Sequence, residues 1–124
     1  MHNLEAIPSL YLFMKIIFWN AQGAKKSQLR QQVTFMNRTI KPAILLLLET
    51  MVKYQNTDWI IKQFGCRHYS TIPSLNHVGG IWLLWNDDNT EATVIAKEPR
   101  IMHCTVLDKP TAKQCLVSTV YVPT

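Results

Sequence analysis

Two stretches of the chain are apolar at nearly every position and end abruptly in a polar residue. The first is Lys15-Ile16-Ile17-Phe18-Trp19-Asn20, and the second is Ala43-Ile44-Leu45-Leu46-Leu47-Leu48-Glu49-Thr50. A run without alternation reads as a strand covered on both faces. Between them Leu29, Val33, Met36 and Ile40 fall at i, i+4, i+7 and i+11, the apolar stripe of a helix. Gln28, Arg30, Gln31, Gln32 and Asn37 take its other faces. Ser27 is a candidate cap, and Lys41-Pro42 stops the helix, because the residue before a proline is pushed out of the α region. Strand, helix and strand in this order form a right-handed βαβ unit, which makes the two strands parallel neighbours. Asn20 and Glu49 then share one edge of a buried sheet, the edge at which open α/β sheets place their ligands.

Beyond Glu49, Thr57 is placed to cap a short helix that turns Trp59, Ile60 and Phe64 inward, with Gly65 suited to its C′ position. His68 to Ile72 reads as a short strand. The loop Leu75-Asn76-His77 leads into a third apolar run, Gly79-Gly80-Ile81-Trp82-Leu83-Leu84-Trp85, and Asn86-Asp87-Asp88-Asn89 is a turn. From there the period becomes two: Ala92, Val94 and Ala96 alternate with Glu91, Thr93 and Lys97, and Met102, Cys104 and Val106 with Ile101, His103 and Thr105. Asp108-Lys109-Pro110-Thr111 is a hairpin turn, and a last strand runs from Gln114 to Val122, ended by Pro123. These elements predict an α/β fold, a mixed β-sheet with flanking helices on one face.

Composition narrows the setting. A chain of 124 residues with 48% hydrophobic content makes one domain with a core. Residues 1–13 carry no clear pattern, and Pro8 breaks any helix there, so a poorly ordered leader is expected before a domain over 14–124. Thirteen Lys and Arg against eight Asp and Glu give a net charge of +5, scattered and suited to a polyanion such as DNA. Cys66, Cys104 and Cys115 form an odd, widely spaced set, read as reduced thiols of an intracellular protein. Neither Cys66 with His68 nor His103 with Cys104 has the spacing of a zinc finger or ribbon. No run reaches the ~18 apolar residues of a membrane span. Lys15 and Glu5 argue against reading Leu10 to Trp19 as a signal peptide.

Four motifs in order carry a resemblance: Phe18-Trp19-Asn20-Ala21-Gln22-Gly23, then Pro42 to Thr50, then Gly79 to Trp85, then Thr119-Val120-Tyr121-Val122-Pro123. Together they resemble the amino-terminal half of the endonuclease/exonuclease/phosphatase superfamily. Most of all they are similar to the endonuclease-like domain of plant LINE-type (non-LTR) retroelements. The resemblance implies Mg²⁺-dependent cleavage of phosphoester bonds, typically in DNA, and a DNase I-like, four-layer α/β/β/α sandwich. It also implies that Glu49 is the metal ligand, that Asn20 sits beside metal and scissile phosphate, and that Tyr121 contacts the phosphate. A retroelement endonuclease would act in the nucleus.

The chain also departs from that pattern. Ala43 follows Pro42 where the family usually has aspartate, and Gln22 stands where some branches have an acid. The later Asp-x-Asn and Ser-Asp-His motifs have no match: Asp87-Asp88-Asn89 lies upstream of Tyr121, and no histidine follows a Ser-Asp pair. The expectation is therefore a truncated domain, one sheet with its helices and a bare inner face that exposes Trp82 or Trp85 and invites self-association. Little activity is expected from it alone. The rival readings are a non-catalytic nucleic-acid-binding module and a protein-interaction module that uses the open sheet face.

Overall fold

A computed structural model describes residues 14–24, 27–52, 56–74, 79–86 and 88–122. The expected leader, the loop Leu75-Asn76-His77, Asp87 and Pro123 lie outside the described residues. Strand β1 (Ile16–Asn20) is followed by helix α1 (Ser27–Thr39) and strand β2 (Ile44–Leu48). β1 and β2 pair in parallel with Asn20 opposite Leu48, so the βαβ unit forms as its apolar runs predict. Leu29, Val33 and Met36 of α1 are buried, whereas Ile40 falls beyond the last helical residue and is exposed. Lys41, in a left-handed conformation at φ 53°, turns the chain there. The Ile40 and Lys41 N–H groups both donate to the Met36 carbonyl, at 2.9 and 3.1 Å.

Helix α2 (Thr57–Gln63) leads to β3 (His68–Ile72) and β4 (Ile81–Trp85). The cap position is Asn56 rather than Thr57, and its side chain makes no capping bond. Trp59 points outward at 66% exposure, because Ile60, Ile61 and Phe64 define the buried stripe of this helix of seven residues. Gly65 does take the left-handed position after it, at φ 75°. The first sheet has the order β1-β2-β4-β3, antiparallel from β2 onwards. β4, apolar throughout, lies inside it, and the more polar β3 forms its edge.

Strands β5 (Thr90–Glu98), β6 (Ile101–Asp108) and β7 (Lys113–Val120) make a separate antiparallel sheet in the order β5-β6-β7. This corrects the expectation of one sheet with a bare inner face. Alternation gives each hairpin strand a single apolar side, and that side packs on one face of the first sheet. Met102, Cys104, Val106 and Val117 close over Ile44, Leu46, Ile81 and Leu83 in one buried cluster. The opposite face, with Leu45, Leu47, Trp82 and Leu84, packs instead on Leu29, Val33 and Met36 of α1 and on Ile60 and Ile61 of α2. Trp82 therefore belongs to the helix side, tilted against Phe64 with ring centroids 6.1 Å apart, and Trp85 is half-buried towards the second sheet. The described residues thus form three layers: helices, a four-stranded sheet and a three-stranded sheet. A bulge between Val94 and Ala96 breaks the β5 alternation, leaving Ile95 and Ala96 exposed.

Candidate functional site

The carboxyl ends of β1 and β2 are laced together by backbone. Ala21 N–H donates to the Leu48 carbonyl at 2.8 Å, Gly23 N–H to Glu49 at 2.9 Å, and Ala24 N–H to Thr50 at 2.8 Å. Asn20 stands exposed at this edge, and its Oδ1 accepts the Gln22 N–H at 3.2 Å, an Asx turn that fixes the side chain beside the strand end. Gln22, Glu49 and Met51 hold φ of 50°, 56° and 54°. Left-handed backbone raises the energy of a non-glycine residue by about 1–2 kcal/mol, and such strain gathers where surrounding structure imposes it.

Tyr121 arrives from the second sheet. Its N–H donates to the Arg100 carbonyl at 2.8 Å, continuing the β6–β7 pairing one step beyond Val120. Its ring lies against Gly79, where an added Cβ would meet ring carbons at 3.3 Å. Its hydroxyl donates to Glu49 Oε1 at 2.9 Å across 72 residues of sequence. That bond, then loss of hydration, then the Glu49 charge raise the Tyr121 pKa above the ordinary tyrosine value, with Arg100 opposing. Gly80, at φ 99°, presses on Thr50, and Met51 N–H donates to the Gly79 carbonyl at 3.0 Å. The Gly79-Gly80 step therefore anchors the Glu49 loop from below.

Asn20, Gln22, Glu49 and Tyr121 thus surround one cleft of about 370 Å³, with Leu48, Val120 and Val122 as its apolar walls. The three residues singled out in the sequence lie together. What sequence reasoning missed is the direct Tyr121–Glu49 bond and the role of Gly79-Gly80 beneath it. The paired glycines before an apolar strand were the available signal. The donor set is one carboxylate and one amide oxygen, both hard ligands, which suits a cation that keeps most of its waters, as Mg²⁺ does. Among the described residues no cluster of three or more His, Cys, Asp or Glu is positioned to hold a metal. Cys66 packs on the helix side of the first sheet and Cys104 between the sheets, so they do not converge on zinc. Asp88 pairs with Arg67 at the surface, 3.1 Å away.

No family model and no curated protein matches the chain. Among solved structures, an AP endonuclease from Leishmania major matches with a TM-score of 0.66 at 17% identity. The match covers 98% of this chain and 44% of that one, so this chain spans less than half the length of the endonuclease. The likeness is one of fold alone, a DNase I-like one. No helix among the described residues is long and apolar enough to cross a membrane.

Proposed function

We propose that the chain is the amino-terminal part of a Mg²⁺-dependent phosphodiesterase domain of endonuclease type, of LINE-type retroelement origin, that acts on DNA. Its three layers belong to a four-layer α/β/β/α sandwich, and these 124 residues hydrolyse little by themselves. The observation that carries the reading is the convergence of Glu49, Tyr121 and Asn20 on one cleft of a fold shared with an AP endonuclease.

Glu49 and Asn20 are the residues that would hold the cation, which supplies positive charge against a phosphate when bound. The Tyr121 hydroxyl orients the Glu49 carboxylate by donating to Oε1, and as a phenol it is protonated near neutral pH and adds no negative charge of its own. The Asn20 side-chain NH2 offers donors to phosphate oxygens, again without repulsive charge. The net charge of +5 draws a polyanion to the surface. The proposed low activity rests on the later Asp-x-Asn and Ser-Asp-His motifs having no match in these residues, since groups that act as a unit with Glu49 would be worth powers of ten in rate.

The test is a calorimetric Mg²⁺ titration of the purified chain, repeated with Glu49→Gln and Tyr121→Phe. Glu49→Gln should abolish measurable binding, and Tyr121→Phe should weaken it by less. Supercoiled plasmid should stay intact with Mg²⁺ present. Equal Mg²⁺ affinity in wild type and Glu49→Gln would sink the assignment of the site. Efficient nicking that vanishes with Glu49→Gln would sink the claim of low activity.

A further inference from the structure

The bond from Tyr121 makes the two oxygens of the Glu49 carboxylate unequal. Oε1 accepts the phenol hydroxyl at 2.9 Å, so the positive end of an O–H dipole points at that oxygen. A cation placed on Oε1 would face the same hydrogen and would have to push it aside. Oε2 carries no such penalty.

Both ends of this bond are anchored by backbone. The Tyr121 N–H is tied to the Arg100 carbonyl at 2.8 Å, and the Tyr121 ring lies against Gly79, with no room for even a methyl group between them. Tyr121 is buried, so its hydroxyl cannot swing away into solvent. On the other side the Glu49 carbonyl accepts the Gly23 N–H at 2.9 Å, and the Glu49 backbone is fixed in its left-handed turn. The hydroxyl is therefore delivered to Oε1 by the second sheet, whether or not a cation is near.

The remaining donors of the cleft cannot make up for an oxygen held in this way. Glu49 is the only charged residue that lines it. Asn20 Oδ1 already accepts the Gln22 N–H at 3.2 Å, and the walls of Leu48, Val120 and Val122 bring no side-chain oxygen. Cations differ in what they ask of such a site. Mg²⁺ is small, dehydrates reluctantly and is content with one oxygen of a carboxylate, whereas Ca²⁺ gathers six to eight oxygens and readily takes a carboxylate by both of its own. Two-oxygen binding at Glu49 would cost the Tyr121 bond, and a hydrogen bond to a charged group is among the stronger ones.

We infer that Tyr121 is a specificity-determining residue of the cleft: by occupying Glu49 Oε1 it confines a bound cation to Oε2 and so favours Mg²⁺ over Ca²⁺. The inference rests on the reading of Glu49 as the cation ligand, and it adds which cation the cleft prefers and which side chain sets the preference.

The test is a pair of NMR titrations of the purified chain, with magnesium chloride and with calcium chloride at constant ionic strength. The Gly23 and Glu49 amide signals are followed in wild type, Tyr121→Phe and Glu49→Gln. Loss of the hydroxyl should lower Mg²⁺ affinity slightly and raise Ca²⁺ affinity, moving the ratio of the two towards Ca²⁺ by about tenfold, the worth of one hydrogen bond to a charged group. An unchanged ratio in Tyr121→Phe, with Glu49→Gln blind to both cations, would overturn the inference and leave the cation site standing. Shifts in Glu49→Gln equal to those of wild type, or no saturable shift in wild type, would remove the site itself and the inference with it. If Tyr121→Phe fails to fold, infrared difference spectra of wild type against Glu49→Gln decide. With either cation the carboxylate bands should show the wide splitting of one-oxygen coordination, and the narrow splitting of two-oxygen coordination would overturn the inference.

Discussion

Replacing Gly80 with alanine should separate two kinds of constraint beneath the candidate site. Gly80 sits at φ 99°, a conformation that L residues rarely adopt, and imposing it on alanine costs about 1–3 kcal/mol. Narrowing the unfolded ensemble returns about 0.4–1 kcal/mol of that. The new methyl group would also fall well inside van der Waals distance of Thr50 Oγ1. Thr50 is fully buried between Glu49 and Met51, both left-handed, so it has little room to retreat. Overpacking of this kind adds about 1–3 kcal/mol, which brings the expected loss to about 1–6 kcal/mol. For a domain of this size that lowers the Tm by about 4 °C for each kcal/mol lost. Gly65→Ala is the control: its φ is 75°, but a Cβ there meets nothing within 4 Å, so only the backbone cost remains. Thr50→Ala should be nearly neutral, because its hydroxyl has no hydrogen-bond partner. Combined with Gly80→Ala it should recover much of the clash. Urea midpoints of the four proteins give the coupling directly. Equal losses at Gly80 and Gly65, or strict additivity with Thr50→Ala, would refute the close approach.

Two further outcomes follow from ionisation. The raised pKa of Tyr121 means that the folded state favours the protonated phenol, so its contribution is complete below the ordinary value of 10.0 and fades as pH climbs through the raised one. Urea stability should therefore fall more steeply in alkali for wild type than for Tyr121→Phe, and parallel curves would contradict the Glu49 bond as its cause. Burial pushes the Cys66 thiol up to about 11, against an opposing bond from Asn37. Its thiolate is then about a hundredfold scarcer at pH 8 than that of a thiol with the ordinary value of 9.0. Iodoacetamide should label native Cys66 slowly and urea-unfolded Cys66 quickly; fast native labelling would show the thiol to be open.

Much of the first sheet was legible because β2 and β4 are apolar at every position, a pattern only a doubly covered strand tolerates; β1, apolar up to Asn20, is instead only half-buried, with Phe18 exposed. The α1 stripe was legible through Met36 and failed at Ile40, where the left-handed Lys41 ends the helix one residue too early. The alternation of Met102, Cys104 and Val106 announced one apolar face but not what it would meet, so the second sheet went unread as a separate layer. Period alone also could not orient α2, since seven residues hold barely two turns and leave Trp59 and Ile60 equally eligible. At the site, Asn20 and Glu49 followed from the parallel pairing, which is local in sequence. Tyr121 reached the site through resemblance alone, since a contact spanning 72 residues leaves no periodic trace.

The four successive leucines of β2 have one more consequence. Leu45 and Leu47 serve the helices, while Leu46 and its neighbour Ile44 serve the second sheet, so a single backbone is the common wall of both interiors. Neither compartment can loosen while the other stays shut, because the wall would have to be present for one and absent for the other. Shared in this way, β2 turns what could have been two weak subdomains into a single all-or-none transition.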